Sequence, residues 1–173
     1  MTVMRTEVSG SVDRAGALEE LYVRNAPAAM RLAYFLTGDR DQAEDLVQEA
    51  FVRVAGRFQH RRVPENVHAY LRRTIVNLFT SQIRRRRLER RWLHRQAVEL
   101  TTTGPEDNTL REDLWRALEV LSQRQRAAIV LRYYEDLSER EAAGVLGCSL
   151  GALNQLVVRA TATLRTHVRR DQA

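Results

Sequence analysis

Apolar residues recur every three or four positions through most of the chain, and the clearest run begins at Asp41. There they fall at Ala43, Leu46, Val47, Ala50, Phe51, Val54 and Phe58, one stripe sustained over more than four turns of helix. Upstream, Leu18, Leu21 and Tyr22 share a face, Asn25-Ala26-Pro27 interrupts it, and Met30, Ala33 and Leu36 resume it. Pro27 is therefore expected to open a second helix, which Gly38 ends. Residues 1–13 are short and polar without a period, and are expected to form a flexible N-terminal arm. Downstream, Gly56 and the polar segment from His60 to Pro64 predict a loop. Asn66 then caps a long helix that carries Leu71, Ile75 and Leu78 inward and runs into Arg84-Arg85-Arg86-Arg87.

The stretch from Leu100 to Asn108 holds turn formers, no apolar period and Pro105, so residues 96–108 are expected to form a flexible linker. Beyond it, Leu110, Leu114, Leu118 and Leu121 line one helix. Ser122 with Gln125, and Ser138 with Glu141, each have the spacing of a capping box, in which a hydroxyl and a longer polar side chain satisfy each other's free backbone N–H groups. No segment alternates with period two. The expected fold is all-α: two small helical domains, residues 14–95 and 109–170, on either side of the linker.

The most specific local pattern lies near the C-terminus. Ser138-Glu-Arg-Glu-Ala-Ala-Gly-Val-Leu146 predicts a short helix, Gly147-Cys148-Ser149 a tight turn, and Leu150 onward a second helix capped by Ser149. That is helix-turn-helix spacing. Ala142, Leu146, Leu150, Leu153 and Val157 can pack the pair together, while Ser149, Gly151, Asn154, Gln155 and Arg159 remain to face a major groove. Asn and Gln suit adenine edges, and Arg suits guanine or phosphate. An ordinary helical hairpin has the same local pattern.

Charge adds a direction to this picture. The 173 residues carry a net charge of +6, and all 28 basic residues are Arg. A planar guanidinium matches phosphates and base edges better than an ammonium does, although the codon bias of a GC-rich genome also explains the absence of Lys. Residues 61–95 hold 11 Arg against two Glu, whereas the chain after residue 100 holds ten of each sign. The basic surface thus belongs mainly to the first domain.

Two further faces stand out. On the helix from Asp41, Asp45, Gln48 and Glu49 lie together at i, i+3 and i+4, an acidic and amide-bearing surface suited to protein docking, or simply to water. On the helix after Asn66, Tyr70, Arg73 or Thr74, Asn77 and Ser81 line one side toward the arginine run. Rings that stack, amides that read an edge and guanidiniums that hold a backbone suit single-stranded bases. A core Tyr70 beside a generic phosphate-binding or membrane-surface patch is the competing reading.

Several functions are disfavoured. A single Cys148 leaves no intramolecular disulfide, and His60, His68, His94 and His167 lack metal-ligand spacing. No cofactor is expected. The uncharged stretch from Ala142 to Val158 is interrupted by Gly144, Gly147, Ser149, Gly151, Asn154 and Gln155, so no membrane insertion is expected. Neither a nucleophile elbow nor a Gly-rich phosphate loop is present, and the chain is not expected to be an enzyme.

Taken in order, these pieces resemble the extracytoplasmic-function (ECF) sigma factors, small alternative specificity subunits of bacterial RNA polymerase. Region two is matched by Leu32-Ala-Tyr-Phe-Leu-Thr-Gly-Asp39, by Ala43-Glu-Asp-Leu-Val-Gln-Glu-Ala-Phe51 and by Ala69-Tyr-Leu-Arg-Arg-Thr-Ile-Val-Asn77. Region four is matched by the segment from Leu121 to Ser138 and by Leu146-Gly-Cys-Ser149. The resemblance covers roughly residues 15–170. It implies that Asp45, Gln48 and Glu49 dock on the clamp helices of the polymerase's largest subunit, with the flap of the second-largest subunit as a further contact. It also implies that Tyr70, Arg72, Arg73, Asn77, Arg84 and Arg85 engage the opened minus-ten element. Ser149, Gly151, Asn154, Gln155 and Arg159 then face minus-thirty-five DNA. The linker would thread the RNA exit path. The implied location is cytoplasmic, nucleoid-associated when bound to polymerase, with an anti-sigma factor or activator as a possible partner.

The sequence departs from this family at the second helix of the motif. Relatives usually continue after the Ser with Gly-Thr-Val-Lys-Ser-Arg-Leu-His-Arg, and here the chain reads Gly151-Ala-Leu-Asn-Gln-Leu-Val-Val-Arg159. Leu156 and Val158, expected to be exposed, replace a basic residue and a polar or basic one. Fewer phosphate contacts release fewer counterions, so weakened or altered minus-thirty-five reading is expected. Footprinting that shows strong, sequence-specific minus-thirty-five protection by the isolated C-terminal domain would contradict this expectation. An autonomous helix-turn-helix regulator and a sigma-like decoy are the alternatives. The first requires duplex binding without polymerase, normally as a dimer on a palindrome.

Overall fold

The computed structural model describes residues 6–58, 66–92 and 109–171, and every regular element among them is helical. Helix α1 (Thr6–Thr37) starts inside the segment expected to be a loose arm, because lengthening a helix that already exists costs far less than nucleating one. It also continues through Pro27, where a second helix was expected to start. Proline at this position removes one bond to the carbonyl of Val23, and exposed Pro27 and Val23 lie on the solvent side. On the opposite side Ala29, Leu32, Ala33, Phe35 and Leu36 are all buried, and that packing outweighs the single lost bond. The helix ends at Gly38, whose φ of +75° closes the last turn through a 2.7 Å bond from Gly38 N to Tyr34 O.

Helix α2 (Arg40–Phe58) is capped by Asp39, whose Oδ1 accepts the Gln42 N–H at 2.8 Å. Its buried residues are Ala43, Leu46, Val47, Ala50 and Val54, the stripe expected from the sequence. Phe51 and Phe58 sit at the margin of the core, Phe51 against the Tyr22 ring at 4.7 Å. Helix α3 (Val67–Trp92) begins at Asn66, whose Oδ1 accepts the Ala69 N–H, and it buries Leu71, Ile75 and Leu78. These three helices pack on one another as a bundle.

The second half comprises α4 (Thr109–Glu119), α5 (Gln123–Ile129), α6 (Glu139–Leu146) and α7 (Leu150–Asp171). Both expected capping boxes form, at Ser122 with Gln125 and at Ser138 with Glu141. The register of α4 differs from expectation: Trp115 and Leu118 are buried, whereas Leu114 is 44% exposed. Trp115 turns inward because its ring has a seat against α1. After α5 the chain widens into a π-helical turn (Val130–Tyr134), closed by Glu135 N to Val130 O at 3.0 Å. The expected linker, residues 96–108, lies outside the described residues.

The two halves do not stand apart. Helices α1 and α3 pack against α5, α1 also meets the π-helical turn, and α3 meets α6, so the buried side chains of both halves form one cluster. Arg126 lies at the centre of the junction and is only 7% exposed. It donates to Leu118 O at 3.1 Å and Glu119 O at 3.4 Å at the end of α4, and to Leu36 O at 2.9 Å at the end of α1. One guanidinium thus bonds carbonyls at two helix C-termini, of which Leu118 O also takes the Leu121 N–H at 3.1 Å. Its carbon lies 4.3 Å from the centroid of the Trp115 ring. Burial lowers the Arg126 pKa to about 10, with Glu119 opposing that shift, and the side chain stays charged at neutral pH.

Candidate nucleic-acid interface

Helices α6 and α7 meet at 98°, within the range of helix-turn-helix units. Ser138 Oγ accepts the Glu141 N–H, and the Glu141 carboxylate in turn accepts the Ser138 N–H at 2.9 Å. Hydrogen bonds from Ser138 hold the Glu141 carboxyl below its usual range. At the turn, Gly147 takes a φ of +61° and Cys148 N reaches back to Ala143 O at 3.0 Å, the left-handed closure that glycine adopts most easily. Ser149 Oγ then accepts the Ala152 N–H at 3.2 Å and starts α7.

Ala142, Leu146 and Leu153 are buried as expected, with Ala160 one further turn along. Leu150 was expected in that seam and is instead 43% exposed, while Val157 is half-buried. Ser149, Gly151, Asn154, Gln155 and Arg159 are all exposed. The spacing from Gly151 through Asn154 and Gln155 to Val158 is that of one helical stripe. Leu156 packs partly against the core and is not the exposed residue expected from the sequence, whereas Val158 is 67% exposed within the stripe. An apolar side chain there can meet a thymine methyl but no phosphate.

On α2, Asp45, Gln48 and Glu49 are exposed together. Glu49 Oε1 accepts from Arg53 Nη2 at 2.6 Å, an exposed pair one turn apart that leaves the acidic edge of the face open.

On α3 the expected residues divide. Arg73 and Asn77 are exposed, one turn apart. Tyr70 is half-buried, its ring 5.8 Å from that of Phe58 and the Arg57 guanidinium 5.5 Å from its centroid, so one edge packs while the rest remains reachable. Arg84 and Arg85 lie on the helix, with side chains outside those described.

Arg72 points elsewhere. Its Nε donates to Glu135 Oε2 at 2.6 Å, and the two side chains are only 14% and 8% exposed. Its Nη2 lies 3.1 Å from His68 Nδ1. The structure thus pairs Arg72 with the opposite half of the chain, where sequence reading placed it toward DNA.

The residues beside this pair went unnoticed in the sequence. Tyr134 packs edge-on against Phe35 at 4.5 Å, and its hydroxyl accepts from Arg31 Nε at 3.1 Å. Trp115 lies 6.1 Å from Tyr34 and directly over Gly38. Of four Phe, two Trp and five Tyr in the chain, this junction takes Tyr34, Phe35, Trp115 and Tyr134. Such clustering of scarce aromatics was the one available signal.

Known proteins resemble this chain in sequence and in fold. Residues 21–89 match the family model for sigma-70 region 2, and residues 111–164 match that for sigma-70 region 4. The RNA polymerase sigma-E factor of Streptomyces avermitilis is 37% identical over 150 residues, covering 84% of this chain and 82% of its own. The ECF RNA polymerase sigma factor SigE of Mycolicibacterium smegmatis is 36% identical over 87% of this chain and 61% of its own. Among solved structures, the sigma factor RpoE of Bartonella quintana, in complex with the anti-sigma factor NepR, superposes with a TM-score of 0.65 at 28% identity, over 87% of this chain and 96% of that one.

Proposed function

The chain belongs to the extracytoplasmic-function sigma factors of the sigma-70 family, and from that premise we propose how its exposed faces divide the work. As an alternative sigma factor it joins core RNA polymerase, directs promoter recognition and supports melting and initiation. In our reading Asp45, Gln48 and Glu49 hold the core enzyme. Tyr70, Arg73, Asn77 and the arginines from Arg84 onward receive the opened minus-ten strand, joined by Arg72 once it is released. Ser149, Gly151, Asn154, Gln155 and Arg159 face minus-thirty-five duplex DNA. The work is binding and positioning, with no chemistry performed by the chain itself. The functional units are residues 14–95 and 109–170. No single described helix is long and apolar enough to cross a membrane, and the proposed location is the cytoplasm, at the nucleoid when polymerase-bound. An anti-sigma factor is a proposed partner, as one is for the Bartonella relative.

The observation that carries this assignment is the exposed Asp45, Gln48 and Glu49 stripe inside the segment matching region 2. Substituting Gln48→Ala and Glu49→Ala together removes its hydrogen-bonding groups while keeping a good helix former at both positions. Binding of labelled chain to purified core polymerase is expected to weaken at least about tenfold, or roughly 1.4 kcal/mol, with helicity unchanged. Equal affinity for the double variant would overturn the assignment. A wild-type chain that ignores core yet binds duplex DNA alone would favour the autonomous regulator.

On α7, Arg159 is the one basic residue among the five proposed minus-thirty-five contacts, and Val158 adds no charge to the stripe. Recognition there should consequently rest on Asn154 and Gln155 edge contacts more than on phosphates.

A further inference from the structure

We infer that the Arg72–Glu135 pair is a latch that stores the free chain closed, and that Arg72 exchanges Glu135 for DNA when the chain opens. The inference rests on the functional reading above. It begins from distance: elements centred near minus ten and minus thirty-five lie roughly 25 base pairs apart, or about 85 Å at 3.4 Å per pair. A chain of this length folded as one body has a radius of gyration of about 16 Å. With the two regions in contact, it cannot reach both elements. The junction must therefore part before a promoter is fully engaged.

Parting the junction also frees a residue needed for the next step. Arg72 stands on α3 beside Arg73 and within one further turn of Asn77, yet those two are exposed while Arg72 is shielded and paired. Glu135 comes directly after the π-helical turn, on the far side of the junction. Its carboxylate takes the Arg72 Nε–H that a phosphate or base edge would take. The two partners are mutually exclusive. A shielded pair of this kind adds little net stability, but removing one member strands the other charge. Arg72 thus tolerates an exchange of partner and resists losing one. Meanwhile the Asp45, Gln48 and Glu49 face is exposed in the closed form, so polymerase can dock before the latch opens. The resulting order is core binding, separation of the regions, then capture of the melted strand.

The test uses the full chain without polymerase. In Glu135→Gln the carboxylate is gone and Arg72 is stranded. Small-angle scattering should show a larger radius of gyration, and a labelled single-stranded 20-mer should bind about fivefold tighter than to wild type. Glu135→Gln combined with Arg72→Gln should lose that gain in affinity. The exchanged pair Arg72→Glu with Glu135→Arg should scatter like wild type. An unchanged radius together with unchanged affinity for Glu135→Gln overturns the latch. Should that variant fail to fold, wild type decides the matter: saturating single-stranded DNA must enlarge its radius, and binding without enlargement overturns the proposal. Core polymerase binding is measured separately. If wild type does not bind core, the functional reading falls, while the scattering result still decides the latch.

Discussion

Substituting Gly38→Ala is expected to be among the most damaging single changes in the chain, costing on the order of 3–5 kcal/mol. Two effects combine. The residue has a φ of +75°, which a side chain makes unfavourable by roughly 1–2 kcal/mol. The added Cβ would also stand 1.6 Å from Trp115 Cζ2 and 2.1 Å from Cε2, so the indole must leave its seat. Trp115 then loses its packing against Tyr34 and Arg126, and the fastening between α1 and α4 goes with it. Urea denaturation should show the reduced stability, and tryptophan fluorescence in the native state should shift toward that of a solvated indole. In a Trp115→Ala background the clash is absent, and the cost of Gly38→Ala should fall to the backbone strain alone, about 1–2 kcal/mol. Additive losses in the double variant would show that the close approach is not what matters.

The second large effect is expected at Arg126. Replacement by Met keeps much of the volume but leaves Leu36 O and Glu119 O without the Arg126 donor, while Leu118 O keeps the Leu121 N–H at 3.1 Å. Each stranded carbonyl costs about 1–3 kcal/mol, partly offset because a cation no longer has to be desolvated. A net loss of about 3 kcal/mol is expected, or roughly 6–12 °C in Tm for a chain of this size. Arg126→Lys retains the charge but cannot reproduce the planar fork, and should recover no more than about half of the loss. Thermal melts of the three proteins test this ordering. A Met variant as stable as wild type would mean that the helix ends satisfy their carbonyls by other means.

Legibility in the sequence depended on distance along the chain. The α2 stripe, the Asn66 cap, both capping boxes and the Gly147 turn each depend on residues within a few positions of one another, and each was read correctly. The exposed faces on α2 and α7 arise from the same local periodicity, because a residue opposite a buried stripe must face out. Pro27 was misread since its cost is local and visible, whereas the packing that outweighs it comes from α2 and α3. The junction left even less trace. Arg126 is 90 positions from Leu36, and Arg72 is 63 from Glu135, so no period connects them. Leu114 and Trp115 are neighbours, and only the presence of α1 decides which of them turns inward.

The widened turn from Val130 to Tyr134 has a consequence for how this architecture can vary. A π-helical turn is a helix that has absorbed one surplus residue. Deleting a single amino acid there would restore regular α geometry with the downstream chain still in phase, whereas inserting one more would swing that chain by about 100° around the axis. Tyr134 and Glu135 would then no longer face Phe35 and Arg72. The coupling of the two halves is therefore set by chain length as much as by side-chain identity, and a one-codon insertion would abolish it while every participating amino acid was retained.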